Sequence, residues 1–209
     1  DEIYFGVLDR KVRGYTLTQF LSPDIIKKEI KPDKNGINNI EETTKMTENL
    51  QIRLANPEEA DRLAEIEAIC FPPAEAASHE DVVNRMKTFP ENFVVAVKDD
   101  QIVGFINGGT TDKPVLPDEF YHDITLHKKD GEIQTVFGLN VIPEYRHQGI
   151  AGELVEYFKD LAKERGKKAL ILTCKEHMIP FYESHGLKKL GIADSCHGGA
   201  TWYDMQIWF

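Results

Sequence analysis

Val141-Ile-Pro-Glu-Tyr-Arg-His-Gln-Gly-Ile-Ala-Gly152 reads as the end of a strand, a basic turn and the start of a helix. The helix is legible from its spacing. Ile150, Leu154, Phe158, Leu161 and Ala162 fall on one face, Glu153 and Glu156 lie near the start, Lys163 and Arg165 near the end, and Gly166 just beyond it. That order complements the helix dipole and supplies a glycine C-cap. Successive backbone N–H groups at such a turn face outward, and a helix N-terminus carries partial positive charge, so the segment suits a pyrophosphate. Gly149 removes a side chain where a phosphate must come close, small Ala151 and Gly152 help, and Arg146 can add charge-assisted hydrogen bonds. GxxxxGK[ST] and GxGxxG are both absent, which disfavours nucleoside triphosphate and dinucleotide loops.

Outward from this turn the pattern is of mixed α/β type. Ile133–Ile142 predicts a strand leading into the turn. Ala169–Cys174 is nearly continuously apolar, as a buried central strand would be. Ile179–His185 predicts a short helix closed by Gly186, and Thr201–Phe209 a final strand. Upstream, Gln51–Leu54 predicts a strand, and Asn56-Pro-Glu-Glu starts a helix that Cys70-Phe-Pro-Pro ends. Ser78 with Asp81 caps a second helix, and Phe93–Val97 with Ile102–Asn107 predicts a hairpin around Lys98-Asp-Asp-Gln101. Thr110 to about Lys129 reads as a long irregular segment. The expected architecture is a mixed central sheet flanked by helices, with one crossover unit near its middle. Residues 1–48 read as a short N-terminal extension and linker: two short apolar stretches, Ile3–Leu8 and Tyr15–Leu21, precede a run rich in turn formers from Lys31. The main domain is expected over residues 49–209.

Composition narrows the function classes. The chain has 209 residues and a formal charge of −10. The first 48 residues carry 8 basic and 9 acidic groups, and the remainder 17 and 26, so the acidity belongs to the main domain. That disfavours nucleic acid as a partner and is compatible with a cationic ligand. No apolar run reaches the ~18–20 residues of a membrane span, so no membrane is expected. Three cysteines without a CxxC pair, and Asp1-Glu2 without signal-peptide character, lead to expectations of a reducing, cytoplasmic setting and no metal.

Arg146-His-Gln-Gly-Ile-Ala151 matches the [QR]xxGx[GA] signature of the GNAT acetyltransferases, and Pro180-Phe-Tyr-Glu-Ser-His-Gly-Leu187 resembles that family's second cofactor motif. The resemblance spans about residues 50–209. It is nearer still to the arylalkylamine (serotonin) N-acetyltransferases, through Leu126-His-Lys-Lys-Asp-Gly131, Cys174-Lys-Glu-His-Met-Ile-Pro-Phe-Tyr182, and Cys70-Phe-Pro-Pro with Thr88-Phe-Pro-Glu91. It implies the GNAT fold and acetyl-coenzyme A as cosubstrate. By resemblance, Leu139, Asn140 and Val141 hold the pantetheine arm, and the backbone of Arg146, His147, Gln148, Gly149, Ile150, Ala151 and Gly152 holds the pyrophosphate. Tyr182 takes the place of the tyrosine that serves as general acid toward the coenzyme A sulfur. A phenol of reference pKa about 10 is protonated at neutral pH and can still donate to a thiolate.

The general base departs from the resemblance. The serotonin enzymes carry two histidines on the central strand, where this chain has Thr135 and Phe137. His127, His122, His79, Glu75, Glu132 and Glu176 lie in segments that could reach the site, and each also reads as a solvated surface residue. Cys174 reads as core rather than nucleophile, and the Cys70–Ser78 loop as a lid over the acceptor. Trp208-Phe209 could serve a homodimer contact. The expected activity is acetyl transfer to a small primary amine, an arylalkylamine or polyamine. The alternatives are a protein or peptide amine as acceptor, implying an open groove, and a non-catalytic acyl-coenzyme A sensor.

Overall fold

The computed structural model describes residues 49–195 and 197–209. The expected extension over residues 1–48, and Cys196, lie outside them. The described chain folds as β1 (Leu50–Leu54), α1 (Ala60–Cys70), α2 (His79–Thr88), β2 (Phe93–Lys98), β3 (Gln101–Asn107), β4 (Thr110–Thr111), β5 (Ile133–Val136), β6 (Gly138–Val141), α3 (Ile150–Glu164), β7 (Ala169–Cys174), α4 (Ile179–Ser184), β8 (Lys188–Ile192) and β9 (Tyr203–Trp208). No described helix is long and apolar enough to cross a membrane.

Local chemistry accounts for the elements. Ser78 Oγ accepts from the Asp81 N–H at 3.0 Å and the Asp81 carboxylate accepts from the Ser78 N–H at 3.3 Å, the reciprocal cap expected for α2. The Glu59 carboxylate accepts from the Asn56 N–H at 2.8 Å and pairs with Arg53 at 2.6 Å, fastening the one-turn Pro57–Glu59 lead-in to α1. The β2–β3 hairpin turns through Asp99 and Asp100, both left-handed at φ 51° and 62°. A two-residue turn of that hand matches the twist of the strands it joins. α3 buries Ile150, Leu154, Val155, Phe158 and Ala162, the face its spacing predicted, with Lys159 buried among them.

The strands form two sheets, ordered β1-β2-β3-β6 and β4-β5-β7-β9-β8. The first is antiparallel throughout. In the second, β5 and β7 are parallel, the product of the β6–α3–β7 crossover, and the other pairs are antiparallel. α1 and α3 both pack on β3 and β6. The main core joins Leu63, Ile66, Val82, Met86, Phe89, Phe93, Phe105, Leu154, Phe158, Leu170 and Met205.

Two expectations need correction. The single strand Ile133–Ile142 is two strands in two sheets, parted at Phe137, whose N–H donates to the Asn107 carbonyl at 2.7 Å instead of continuing the ladder with β7. The residue pattern runs through the break because both halves are buried. β8 had no sequence signal: Lys188-Lys-Leu-Gly-Ile192 is an exposed edge strand with a register shift between Lys189 and Gly191, so it lacks alternation.

Close backbone approach is decisive at Gly108, between β3 and β4. A Cβ there would lie 1.8 Å from the Thr135 carbonyl oxygen. Gly108→Ala must push β4 away from β5, and the expected loss is about 1–3 kcal/mol, read as a lower urea midpoint at unchanged slope.

Candidate active site

β5 and β7 run together as far as Val136 and Leu172. Beyond that point β6 pairs with β3 alone, and β7 continues with β9 to Cys174. The two strands therefore splay, and each presents a bare backbone edge to the opening. The ladder shows which groups are bare. The Ile142 N–H donates to Val103 at 3.0 Å, and the register pairs Asn140 with Phe105. By alternation, Gly138, Asn140 and Ile142 spend their backbone on β3, while Leu139 and Val141 face the opening. Asn140 was expected among the pantetheine holders. Its backbone is committed to β3 and its side chain to Glu67, so Leu139 is the residue of the three whose edge is free. The Arg146 Nε donates to the Val141 carbonyl at 2.8 Å, and the Val141 N–H and Arg146 both address the Cys70 thiol, whose pKa burial pushes up.

At the mouth of the splay stands the phosphate turn. His147 is left-handed at φ 60° and Gly149 at φ 81°. Alternating hand turns successive N–H groups into a concave nest at the head of α3. Nothing lies within 4 Å of the position a Gly149 Cβ would take, so the nest opens onto free space. The Lys98 Nζ donates to Gln148 Oε1 at 2.7 Å and the Gln148 Nε2 to the Glu144 carbonyl at 3.2 Å, which hold the turn in place. Ile150 is a core residue, and Gly152 is small for a different reason from the one expected: its Cβ would meet the His185 ring at 3.1 Å. The free edge of Leu139 and the open nest lie on one continuous strand–turn–helix segment.

Tyr182 lies on α4 near the Cys174 end of β7, and burial, with Cys174 and Tyr121 adding to it, raises its pKa. Cys174 is pushed up to about 11 by burial, which suits a core thiol and not a nucleophile. Tyr121, pushed up to about 12 by burial, bonds the Thr173 hydroxyl at 3.0 Å.

The far side of the splay is aromatic. The Phe137 ring lies 5.3 Å from Tyr121, 5.4 Å from Phe120 and 4.8 Å from the Arg85 guanidinium, and His197 stacks on Tyr121 at 5.8 Å. The 71–78 loop is fastened over this region. The Lys175 Nζ donates to Glu75 Oε1 at 2.7 Å, His197 Nε2 contacts the Glu75 carbonyl at 3.0 Å, and the Ala77 N–H donates to Glu67 Oε1 at 3.1 Å.

Most of the expected base candidates are occupied elsewhere. His127 Nδ1 accepts from the Thr110 N–H at 3.1 Å, its ring lies 4.5 Å from Phe89, and burial lowers its pKa. His79 contacts Asp61 at 2.9 Å and Glu132 pairs with Lys168 at 2.7 Å, all on the surface. His122 is exposed 3.8 Å from Asp81, Glu176 is exposed, and Glu75 is paired with Lys175. The Thr135 hydroxyl donates to the Gly109 carbonyl and Phe137 carries no base.

Glu67 was missed. It is 5% exposed, its Oε2 accepts from Asn140 Nδ2 at 2.9 Å, and burial raises its pKa against the opposing effects of Ala77, Arg85 and Asn140. The signal was present: Glu67 follows Leu63 by four residues and Ala64 by three, a carboxylate on the apolar stripe of α1.

The model of the acetyltransferase (GNAT) family matches residues 60–187. The chain belongs to that family. Acetyl-coenzyme A is accordingly its cosubstrate. The serotonin N-acetyltransferase of Mesocricetus auratus is 26% identical over 160 residues, 75% of this chain and 76% of that protein. A probable hydrolase, YhcX, of Bacillus subtilis (strain 168) is 27% identical over 151 residues, 68% of this chain and 28% of that longer protein. Among solved structures, the GphF GNAT-like decarboxylase in complex with isobutyryl-CoA superposes with a TM-score of 0.66 at 21% identity, covering 76% of this chain and 98% of that one.

Gly149→Ala would carry the left-handed cost of about 1–2 kcal/mol and put a methyl group into the nest. The expected result is a KM for acetyl-coenzyme A raised on the order of tenfold at nearly constant kcat, measured by initial rates at saturating acceptor.

Proposed function

We propose that this GNAT member transfers the acetyl group of acetyl-coenzyme A directly to the nitrogen of a small primary amine, with an aromatic amine favoured over a polyamine. The observation that carries the reading is the fastened 71–78 loop over an aromatic wall. Glu75, tied to Lys175 and to His197, roofs the acceptor side of the splay. A roofed site suits a compact acceptor better than a protein segment, which needs an open groove. Phe71, Tyr121 and Phe137 offer ring faces to an aryl group. Asp118, Glu119 and Asp123, around His122 in a surface depression, favour the approach of a cation.

The chemistry follows from the groups in place. The bare N–H of Leu139 is the donor available to a thioester carbonyl as negative charge develops on its oxygen. Tyr182, protonated across the neutral range, is the acid available to the departing thiolate. Cys174 and Cys70, with raised pKa values, are poorly suited to carry an acyl group, which favours direct transfer.

The test is thiol release from acetyl-coenzyme A with phenethylamine, tryptamine, spermidine and a lysine peptide. Saturable release with the aryl amines supports the reading; release with spermidine or the peptide alone overturns the acceptor, and release without any amine points to hydrolysis. Tyr182→Phe is expected to lower kcat by about 10²-fold with little change in KM. An unchanged kcat across the pH range would remove Tyr182 from the reaction.

A further inference from the structure

α3 carries a charge on the face where its neighbours are apolar. Lys159 comes one turn after Val155 and next to Phe158, and it is 6% exposed. Its Nζ donates to the two oxygens of Glu156 at 2.9 and 3.0 Å and to the His185 carbonyl at 2.6 Å, three acceptors for the three protons of an ammonium. Glu156 Oε1 also meets His185 Nδ1 at 2.7 Å. Burial pushes the Glu156 carboxyl up, but the bonds from Lys159 and His185 outweigh it and hold its pKa below the usual range. A methionine would fill this place with less desolvation. What the ammonium adds is a directed contact.

That contact holds the end of α4. His185 is the C-cap of the helix, and Gly186 follows it in the left-handed conformation at φ 86°. The Gly186 N–H donates to the Glu183 carbonyl at 3.0 Å and the Leu187 N–H to the Tyr182 carbonyl at 3.1 Å, the paired bonds of a Schellman turn. The His185 N–H reaches the Tyr182 carbonyl as well, at 3.1 Å. The main chain of Tyr182 is thereby tied to residues 185–187, and Lys159 ties residue 185 to α3. Side chains repeat the contact. The His185 ring lies over Gly152, 3.1 Å from where a Cβ would stand, and Phe181 meets that ring with centroids 4.7 Å apart.

α4 has six residues, too few to be stable as an isolated helix, so its direction comes from what it packs on. Among the described residues no hydrogen bond holds the Tyr182 hydroxyl, whose ionisable neighbours are Cys174 and Tyr121. The hydroxyl is therefore placed through α4 alone.

We infer that Lys159, together with Glu156 and His185, is a positioning residue for Tyr182: it registers α4 on α3, so that the phenol stands at a fixed offset from the nest at the head of the same helix. The inference rests on the acetyl-transfer reading, in which Tyr182 protonates the departing thiolate. The sulfur of a cofactor gripped by its pyrophosphate lies at the far end of a long arm. Acid and grip then need one frame, since a misplacement of about 1 Å can cost on the order of 10²-fold in rate.

The experiment is a double-mutant cycle between Lys159→Met and Tyr182→Phe, read as kcat and as KM for acetyl-coenzyme A, with the best of the four test amines as acceptor. Lys159→Met alone should lower kcat by about tenfold and leave that KM within about twofold, because the nest is untouched. In the Tyr182→Phe background it should change kcat by less than about twofold, since a ring without a hydroxyl loses nothing by being displaced. A merely structural role for Lys159 would lower both backgrounds alike. Equal losses overturn the inference, and so does a full kcat for Lys159→Met. Glu156→Leu, at a half-exposed site, removes the same clamp and is judged by the same outcomes if Lys159→Met does not fold. A Tyr182→Phe enzyme with the wild-type kcat, or a wild type that acetylates none of the amines, would instead overturn the reading on which the inference rests.

Discussion

The parting of β6 from β7 is the constraint on which the rest of the molecule depends. Backbone amides in a protein interior are almost always paired, because an orphan carries a desolvation cost. Here one strand changes sheets at Phe137, and Leu139 keeps a free edge where β7 would otherwise have met it, while Val141 is paired with Arg146 and Cys70. The surrounding structure must hold the two sheets apart against closing on those groups. α3 packs across β2, β3 and β6 on one arm of the splay, and the Tyr121–Thr173 contact ties the loop before β5 to β7 on the other. A phosphate nest at one end of the opening and an aromatic wall at the other follow from where α3 begins and where Phe137 projects.

The acceptor side shows a second balance. Glu67 and Arg85 are both nearly buried, and neither would be tolerated there alone. Arg85 spends its charge on the Phe137 face and the Tyr121 carbonyl, and the Glu67 carboxylate is held by the Ala77 N–H and the Asn140 amide. These bonds tie α1, α2, the 71–78 loop and β6 into one unit. The same carboxylate therefore also anchors the 71–78 loop, so a substitution there acts on both shape and charge.

Much of this was legible in the sequence. The turn at Arg146–Gly152, the cap at Ser78, the hairpin at Asp99-Asp100 and the apolar stripe of α3 are local patterns, and they appear where spacing and turn chemistry place them. What depended on long-range pairing was not legible. The break at Phe137 leaves no mark because both halves of the segment are buried, and β8 leaves none because an exposed, bulged edge has no reason to alternate. The histidine and glutamate candidates were chosen by residue type along the chain, whereas Glu67 is singled out by burial against β6, seventy-three residues away from its amide partner.

A cofactor grip built from main-chain groups has a consequence for how such a protein can drift over evolutionary time. Leu139 presents the same N–H and C=O whatever its side chain is, and the nest needs left-handed backbone more than it needs a particular residue. Away from the left-handed glycine of the nest, that half of the site depends little on which side chains it carries. The opposite face, proposed to meet the acceptor, is made of side chains, Phe71, Glu67, Tyr121 and Phe137, and every exchange there alters its shape and charge. Inheritance preserves the donor and leaves the acceptor free to change, so ancestry alone names the first far better than the second.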